Sequence, residues 1–257
     1  MDSDLRRYLD DLVDTARDVL GGDLVGAYAA GSVGLGAYQA GRSDVDVALV
    51  CAGALTEAVK RTLVARLRHE ELPCPARGLE LVVYQRAVAA AGSPEPGFEV
   101  ELNTGPAMPF RRTLDPADRP SADGRFWYGL DRSILHQSGV ALLGPPAAEV
   151  FGDLTPADLS RLLIEALTWW LALPTPPGDR PAPGAEDAVL GACRSLVRHR
   201  DGEWLSKVAA GRRLVDTGDP AEVIRRAIAA RHGGPPPTGA QARAFQERVR
   251  AEVAAHR

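Results

Sequence analysis

Lysine is nearly missing from this 257-residue chain: of its 30 basic residues only Lys60 and Lys207 are lysine. The bias fits genome composition, and it makes both lysines worth locating. Cysteine is scarce too. Cys51, Cys74 and Cys193 are odd in number, far apart and in no metal-like spacing. That argues against a disulfide framework or a zinc site and for buried, reduced thiols in a cytosolic protein. No run of eighteen apolar residues exists, so neither a membrane span nor a membrane partner is expected. The opening residues Met1-Asp2-Ser3-Asp4-Leu5-Arg6 are charged with no apolar run behind them. A secretory signal is therefore not expected, and the expected location is the cytoplasm. A basic excess is also absent: the formal net charge is −4, which argues against nucleic acid as the main partner.

What is present is an ordinary globular balance, 45% hydrophobic and 25% charged, in a length that suits one large or two modest domains. The charge is unevenly spread, which fits an acidic half that holds cations and a milder half that helps hold phosphates, though the asymmetry alone proves neither. Residues 1–152 hold 21 acidic and 15 basic side chains, residues 153–257 hold 13 and 15. In the first part Leu5, Leu9, Leu12, Val13, Ala16 and Leu20 recur at helical spacing, and Gly21-Gly22 ends that helix. The pattern then predicts strands at 24–30, 45–51, 79–85, 99–103 and 140–143. It predicts helices at 33–40 (short and glycine-broken), 54–71 and 125–137. After residue 153 the strand pattern stops. Thr155, Pro156 and Asp158 form a helix-start signal, and helices fit 155–173, 185–200, 204–217, 220–232 and 239–256. The expected fold is α+β: a mixed-sheet domain over 1–152, then an all-helical bundle over 153–257.

The chemistry concentrates in Gly31-Ser32-Val33-Gly34-Leu35-Gly36 followed by Arg42-Ser43-Asp44-Val45-Asp46-Val47. Asp44 and Asp46 are two apart at a strand start, so both carboxylates lie on one face, opposite Val45, Val47, Leu49 and Cys51. Adjacent like charges repel and call for compensation by a proton or a cation. Hard oxygen ligands suit Mg²⁺, which is commonly held by one or two carboxylates plus substrate phosphates. The Gly31-Ser32 turn offers backbone N–H groups and a hydroxyl to an anion. Taken singly, Asp-x-Asp is a common solvated strand end and Gly-Ser a common turn. Together, in a strand–turn–helix–strand context, they specify nucleotidyl transfer more narrowly. The glycines do not form a P-loop, because no Gly-Lys-Ser/Thr ending follows.

This pattern of Gly-Ser, about a dozen residues, then Asp-x-Asp resembles the signature of the DNA polymerase β-like nucleotidyltransferase superfamily. Later segments resemble its streptomycin/spectinomycin adenylyltransferase type. Gly139 to Pro145 is similar to the end of that catalytic domain, and Ala188 to Arg194 and Ser206 to Ala210 are similar to its helical domain. The resemblance covers about residues 24–215. It implies a nucleotidyltransferase domain over 1–152 and a helical C-terminal domain over 153–257. It implies transfer of AMP from ATP, with Mg²⁺ held by Asp44 and Asp46, to a hydroxyl of an aminoglycoside or aminocyclitol. It further implies that Glu80, in Gly78-Leu79-Glu80-Leu81-Val82-Val83, is the general base. Gly31 and Ser32 would hold the phosphate tail. Arg194 and Lys207, thirteen residues apart, would hold the ATP phosphates across an interdomain cleft.

The chain also departs from that type. The tryptophan expected after the 99–103 strand is replaced by Thr104-Gly105-Pro106-Ala107-Met108, and the acids expected before the arginine helix have no counterpart at the matching positions; Asp179, Glu186 and Asp187 are the nearby acids. Two other readings remain open: nucleotidylation of a protein or a natural-product intermediate, and a nucleotide-binding regulator without turnover. Glu99 and Glu101, on the next predicted strand, are weaker rivals to Glu80 as the base. Trp127-Tyr128 and Trp169-Trp170 read as packing, Trp204 as packing or the lining of a nucleotide pocket, and His136 as a helix-end cap or packing residue.

Overall fold

The computed structural model describes residues 2–120, 122–174 and 180–255. The chain divides into two compact units, Met1–Leu154 and Thr155–Arg257. The fold class is α+β.

In the first unit α1 (Ser3–Leu20) leads to β1 (Leu24–Ala29), α2 (Gly31–Gly34), β2 (Val45–Cys51), α3 (Glu57–Leu67) and β3 (Leu79–Gln85). Then come α4 (Arg86–Ala90), β4 (Phe98–Gly105), β5 (Met108–Thr113), α5 (Trp127–Ser138), β6 (Val140–Leu143) and α6 (Ala147–Val150). The six strands form one sheet in the order β5-β4-β3-β2-β1-β6. β2 and β3 run parallel, and the other neighbouring pairs are antiparallel. The parallel pair needs a crossover, which α3 supplies.

Period-two alternation gives the sheet two different faces. Val45, Val47, Leu49 and Cys51 of β2 join Leu79, Leu81 and Val83 of β3, Val100 and Leu102 of β4, and the apolar stripe of α1 in one buried cluster. The opposite face is covered in part. Tyr28, Ala48, Val50, Tyr84 and Phe98 pack there with Tyr128 and Leu135 of α5 and with Phe151. The Arg132 guanidinium lies 5.0 Å from the Tyr84 ring and donates to the carbonyls of Ser93, Glu95 and Pro96. It is buried because three carbonyls and a ring face replace its water. All three cysteines are buried and unbridged.

Several elements differ from the sequence expectation. The 33–40 helix is only the short α2, because Gly36 and Gly41 take positive φ (63° and 73°) and turn the chain out of helix. α3 starts at Glu57 because the Thr56 hydroxyl caps the N–H of Val59. α4, β5 and α6 were not expected at all. β5, Met-Pro-Phe-Arg-Arg-Thr, is an exposed edge strand with no apolar alternation to signal it.

The second unit is helical: α7 (Pro156–Ala172), α8 (Ala185–Asp201), α9 (Lys207–Asp216), α10 (Ala221–Ala230) and α11 (Gly239–Ala255). Thr155 caps α7 with Pro156 in its first turn, and Ser206 caps α9. α8 touches the other four helices through Val189, Leu190, Cys193, Leu196 and Val197, all buried. Among the described residues no helix is long and apolar enough to cross a membrane.

One buried charge ties this bundle together. Asp219, at the α9–α10 junction, accepts from Arg200 of α8 at 2.7 Å and from Arg248 of α11 at 2.6 Å. Burial raises its pKa, but the hydrogen bonds and charges of Arg200 and Arg248 outweigh this and hold it below the usual carboxylate range. A depressed carboxylate contributes stability at neutral pH that is lost as pH falls through its titration. Asp219→Asn is expected to destabilise the protein by about 2–3 kcal/mol at pH 7, less than a fully buried pair because both arginines reach water. Urea unfolding at pH 7 and pH 3 checks this. The gap narrows at pH 3, and an equal gap at both would remove the charge argument.

Candidate active site

The site lies at the open end of the partly covered sheet face. On β2 that face carries Asp46, Ala48 and Val50, and on β3 Glu80, Val82 and Tyr84. Burial increases from the carboxylates toward the strand ends. Asp46 and Glu80 are direct partners in the parallel register, so their side chains leave neighbouring strands on the same side, with backbones about 4.8 Å apart. Asp44 precedes β2, yet it is held as if within it. Ser43 accepts from the Arg77 N–H at 3.3 Å and Val45 donates to the Gly78 carbonyl at 2.9 Å. That extended backbone puts Asp44 on the face of Asp46.

The Gly31-Ser32 turn leans on this pair. The Ala30 N–H donates to the Asp46 carbonyl at 2.9 Å. Gly31 has φ 51°, and a Cβ there would sit 1.9 Å from Asp46 Oδ2. Only glycine lets the carboxylate lie against the turn. Ser32 Oγ is buried with no hydrogen-bond partner among the described residues, a donor that a buried anion would satisfy. The following loop is closed by Ser43, whose hydroxyl accepts from Gln39 N–H at 3.0 Å while its own N–H donates to Gln39 O at 2.8 Å.

Glu80 carries the largest electrostatic perturbation here. The surrounding protein, then the charges of Asp46, Asp131 and Asp44, push its pKa up to about 8, with Arg111 opposing. The side chain itself is exposed. We therefore take like-charge crowding as the governing cause, since water reaches the carboxyl. Asp131 is a fourth carboxylate that sequence reasoning missed. It lies on α5 three residues from Tyr128 and four from Leu135, on the stripe turned toward the sheet. Only the helix, not its facing, was legible.

The rivals to Glu80 are occupied. Glu99 binds Lys60 at 2.9 Å, Gln85 Nε2 and the Leu55 N–H at 3.1 Å. Glu101 binds Arg119, Arg111 at 2.9 Å and Thr113 at 2.9 Å. For both, burial raises the pKa but these donors bring it below the usual carboxylate range. They brace the sheet, and Lys60, which also donates to Leu114 O at 2.9 Å, is part of that brace. His136 Nδ1 is hydrogen-bonded to the Phe151 carbonyl at 2.6 Å, a structural contact.

In the second unit Arg194 lies on α8 and Lys207 opens α9. Arg194 and Arg198 lie 5.7 and 5.6 Å from the ring of Trp204, which is buried between them. Lys207 Nζ donates to Asp187 Oδ1 at 2.9 Å. Asp187 is thus engaged by Lys207 and by Arg231, and Asp179 lies outside the described residues.

Among known proteins, no family model and no curated relative matches the chain. Among solved structures it is similar to a spectinomycin adenyltransferase, AAD(9), from Enterococcus faecialis, crystallised with ATP and spectinomycin. The likeness covers 97% of this chain and 99% of that one, at a TM-score of 0.67 and 15% identity. The chain shares the fold of that adenyltransferase. At this identity the likeness speaks for the fold alone.

The residues fit the groups that such a fold implies. The donor set of Asp44 and Asp46 is hard oxygen, and the unpartnered Ser32 hydroxyl beside it suits an anion. Among the described residues no three His, Cys, Asp or Glu side chains form a metal cage. A cation here would accordingly draw on two carboxylates and phosphate oxygens.

The metal-free charge balance makes a prediction. With its pKa raised, Glu80 keeps a proton in the native state between about pH 4.5 and 8, where the unfolded chain has lost it. That contribution is lost as pH rises through this window. In EDTA, Asp46→Asn is expected to melt higher than wild type at pH 8, with the difference shrinking toward pH 5. Calorimetry showing the same difference at both values would contradict the crowding.

Proposed function

We propose that this protein transfers AMP from ATP to a hydroxyl of a small cationic acceptor, of the aminoglycoside or aminocyclitol class, with Mg²⁺. The observation that carries the reading is the Asp46–Glu80 register with Asp44 alongside and the Gly31-Ser32 turn pressed against Asp46. The likeness to a spectinomycin adenyltransferase crystallised with ATP and spectinomycin supports the co-substrate and the acceptor class.

In this reading Asp44 and Asp46 hold Mg²⁺. When bound, the ion would offset part of the charge of the two aspartates and the phosphates and so favour the ionised form of Glu80. Ser32 Oγ and the turn N–H groups hold the phosphate tail. Glu80 accepts the proton of the acceptor hydroxyl as its oxygen attacks the α-phosphorus. The new bond is oxygen to α-phosphorus, the broken one links the α-phosphorus to the bridging oxygen, and pyrophosphate leaves. Glu80 and Asp131 give the site a negative charge that suits ammonium groups of the acceptor and repels anionic alcohols. Arg194 and Lys207 bind the phosphates as a planar fork and a point charge.

Pyrophosphate release from ATP and Mg²⁺ across a panel of aminoglycosides and aminocyclitols tests the acceptor class. Release with none of them, but with labelled protein as product, would move the acceptor to a polypeptide. Glu80→Gln is expected to lower turnover by about 10²–10⁴-fold while leaving ATP affinity within a few-fold. If calorimetry shows ATP binding lost to the same extent, Glu80 is a metal ligand and not the base. Asp44→Asn is expected to abolish Mg²⁺-dependent turnover with the fold intact, and near-wild-type turnover would remove the two-carboxylate site.

A further inference from the structure

Asp187 holds two cations at once. Its Oδ1 accepts from Lys207 Nζ at 2.9 Å and from Arg231 NH1 at 2.8 Å. The three residues come from different helices: Asp187 from the first turn of α8, Lys207 from the start of α9, and Arg231 from the end of α10. Sharing one oxygen keeps the two cationic atoms less than about 6 Å apart, within reach of a single phosphate or of adjacent phosphates. Two like charges that close repel, and one carboxylate neutralises only one of them. The trio therefore carries a net positive charge at a fixed spacing. Arg194 follows Asp187 by seven residues, two helical turns, and lies on the same side of α8.

The exposures separate the roles. Lys207 and Asp187 keep about a third of their side chains in water, whereas Arg231 keeps 12%. A mostly buried guanidinium is costly unless its donors are used. Nε of Arg231 is buried with no hydrogen-bond partner among the described residues, so Asp187 does not saturate this group. Sequence reasoning assigned Arg231 no role, since it stands alone at a helix end, 24 positions after Lys207.

We propose that Lys207 and Arg231 form one oligophosphate clamp, seated on Asp187, in which Arg231 is a phosphate-binding residue. This rests on the reading above, in which Lys207 contacts the phosphates of ATP. The guanidinium supplies parallel N–H donors, the ammonium a point charge, and Asp187 fixes their separation before the anion arrives, so the anion need not order them.

The test uses the full chain and calorimetric binding of ATP and of adenosine to wild type, Arg231→Gln, Arg231→Lys and Lys207→Ala. Arg231→Gln is expected to weaken ATP binding about ten- to hundredfold, the size of one lost charge-assisted contact, while adenosine binding changes less than twofold. Arg231→Lys, which keeps the charge, is expected to recover part of the loss. If Lys207→Ala weakens ATP and Arg231→Gln does not, Arg231 is merely a partner of Asp187, the clamp is overturned, and the Lys207 reading stands. Equal loss of ATP and adenosine in Arg231→Gln, with no recovery in Arg231→Lys, shows a structural role and also overturns it. If neither substitution changes ATP binding, the Lys207 reading fails and the clamp with it.

Discussion

The parallel register of β2 on β3 is the constraint on which the rest depends. It sets Val45, Val47 and Leu49 beside Leu79, Leu81 and Val83 on the buried face, and by the same alternation it sets Asp46 beside Glu80 on the other. A slip of one residue on either strand would turn its carboxylate into the core and its leucines or valines into water. Each buried side chain of that size is worth about 1.5–3 kcal/mol. Two carboxylates 4 Å apart near a protein surface repel by about 1–4 kcal/mol. The core wins by several-fold, so the repulsion cannot be relieved by sliding. It is met in place, by a proton on Glu80 and by opposing charge such as that of Arg111. Gly31 closes the remaining escape, because the turn packs against Asp46 Oδ2 with no room for a side chain between them.

Much of this was legible in the sequence because it rests on short-range pattern. The strands at 45–51, 79–85 and 140–143 have the expected bounds, since each alternates or runs apolar between turn residues. The shared face of Asp44 and Asp46 follows from period two alone. The long helices of the second half were legible from spacing and from caps such as Thr155 and Ser206. What was not legible depends on long-range pairing or on exposed backbone. β5 has two arginines and a proline and is recognised only by the ladder it makes with β4. Asp131 and Glu80 are far apart in sequence, and only the packing of Tyr128 and Leu135 against the sheet shows which way α5 faces. Glu99 and Glu101 read as weaker rivals to Glu80, and what occupies them is visible only in the fold: Lys60 for one, Arg119 and Arg111 for the other.

The two units handle charge by different rules. In the second, two carboxylates each hold two cations: Asp219 with Arg200 and Arg248, Asp187 with Lys207 and Arg231. The first pairs Glu99 and Glu101 in the same way, but at the open sheet face the charges of Asp46, Asp131 and Asp44 crowd Glu80, with Arg111 opposing. The one arrangement sets carboxylates against arginines and lysines, whereas the other concentrates like charge at one end of the sheet face.

That contrast also corrects what the overall charge balance suggests. The acidic excess of the first 152 residues looks like a cation-holding half, but much of it lies elsewhere. Asp4, Asp10, Asp11, Asp14 and Asp18 line the exposed side of α1, where they are solvated and screened within about 8–10 Å. They face away from the buried stripe of Leu5, Leu9, Leu12 and Ala16 and keep that helix amphipathic. A cation responds to the carboxylates that the register forces together, not to those that water already surrounds. The same holds for the milder positive balance of the helical half: several of its arginines are consumed by Asp158, Asp201, Asp219 and Glu252. What is left to meet an anion depends on how many cations share one acid, and at Asp187 two do.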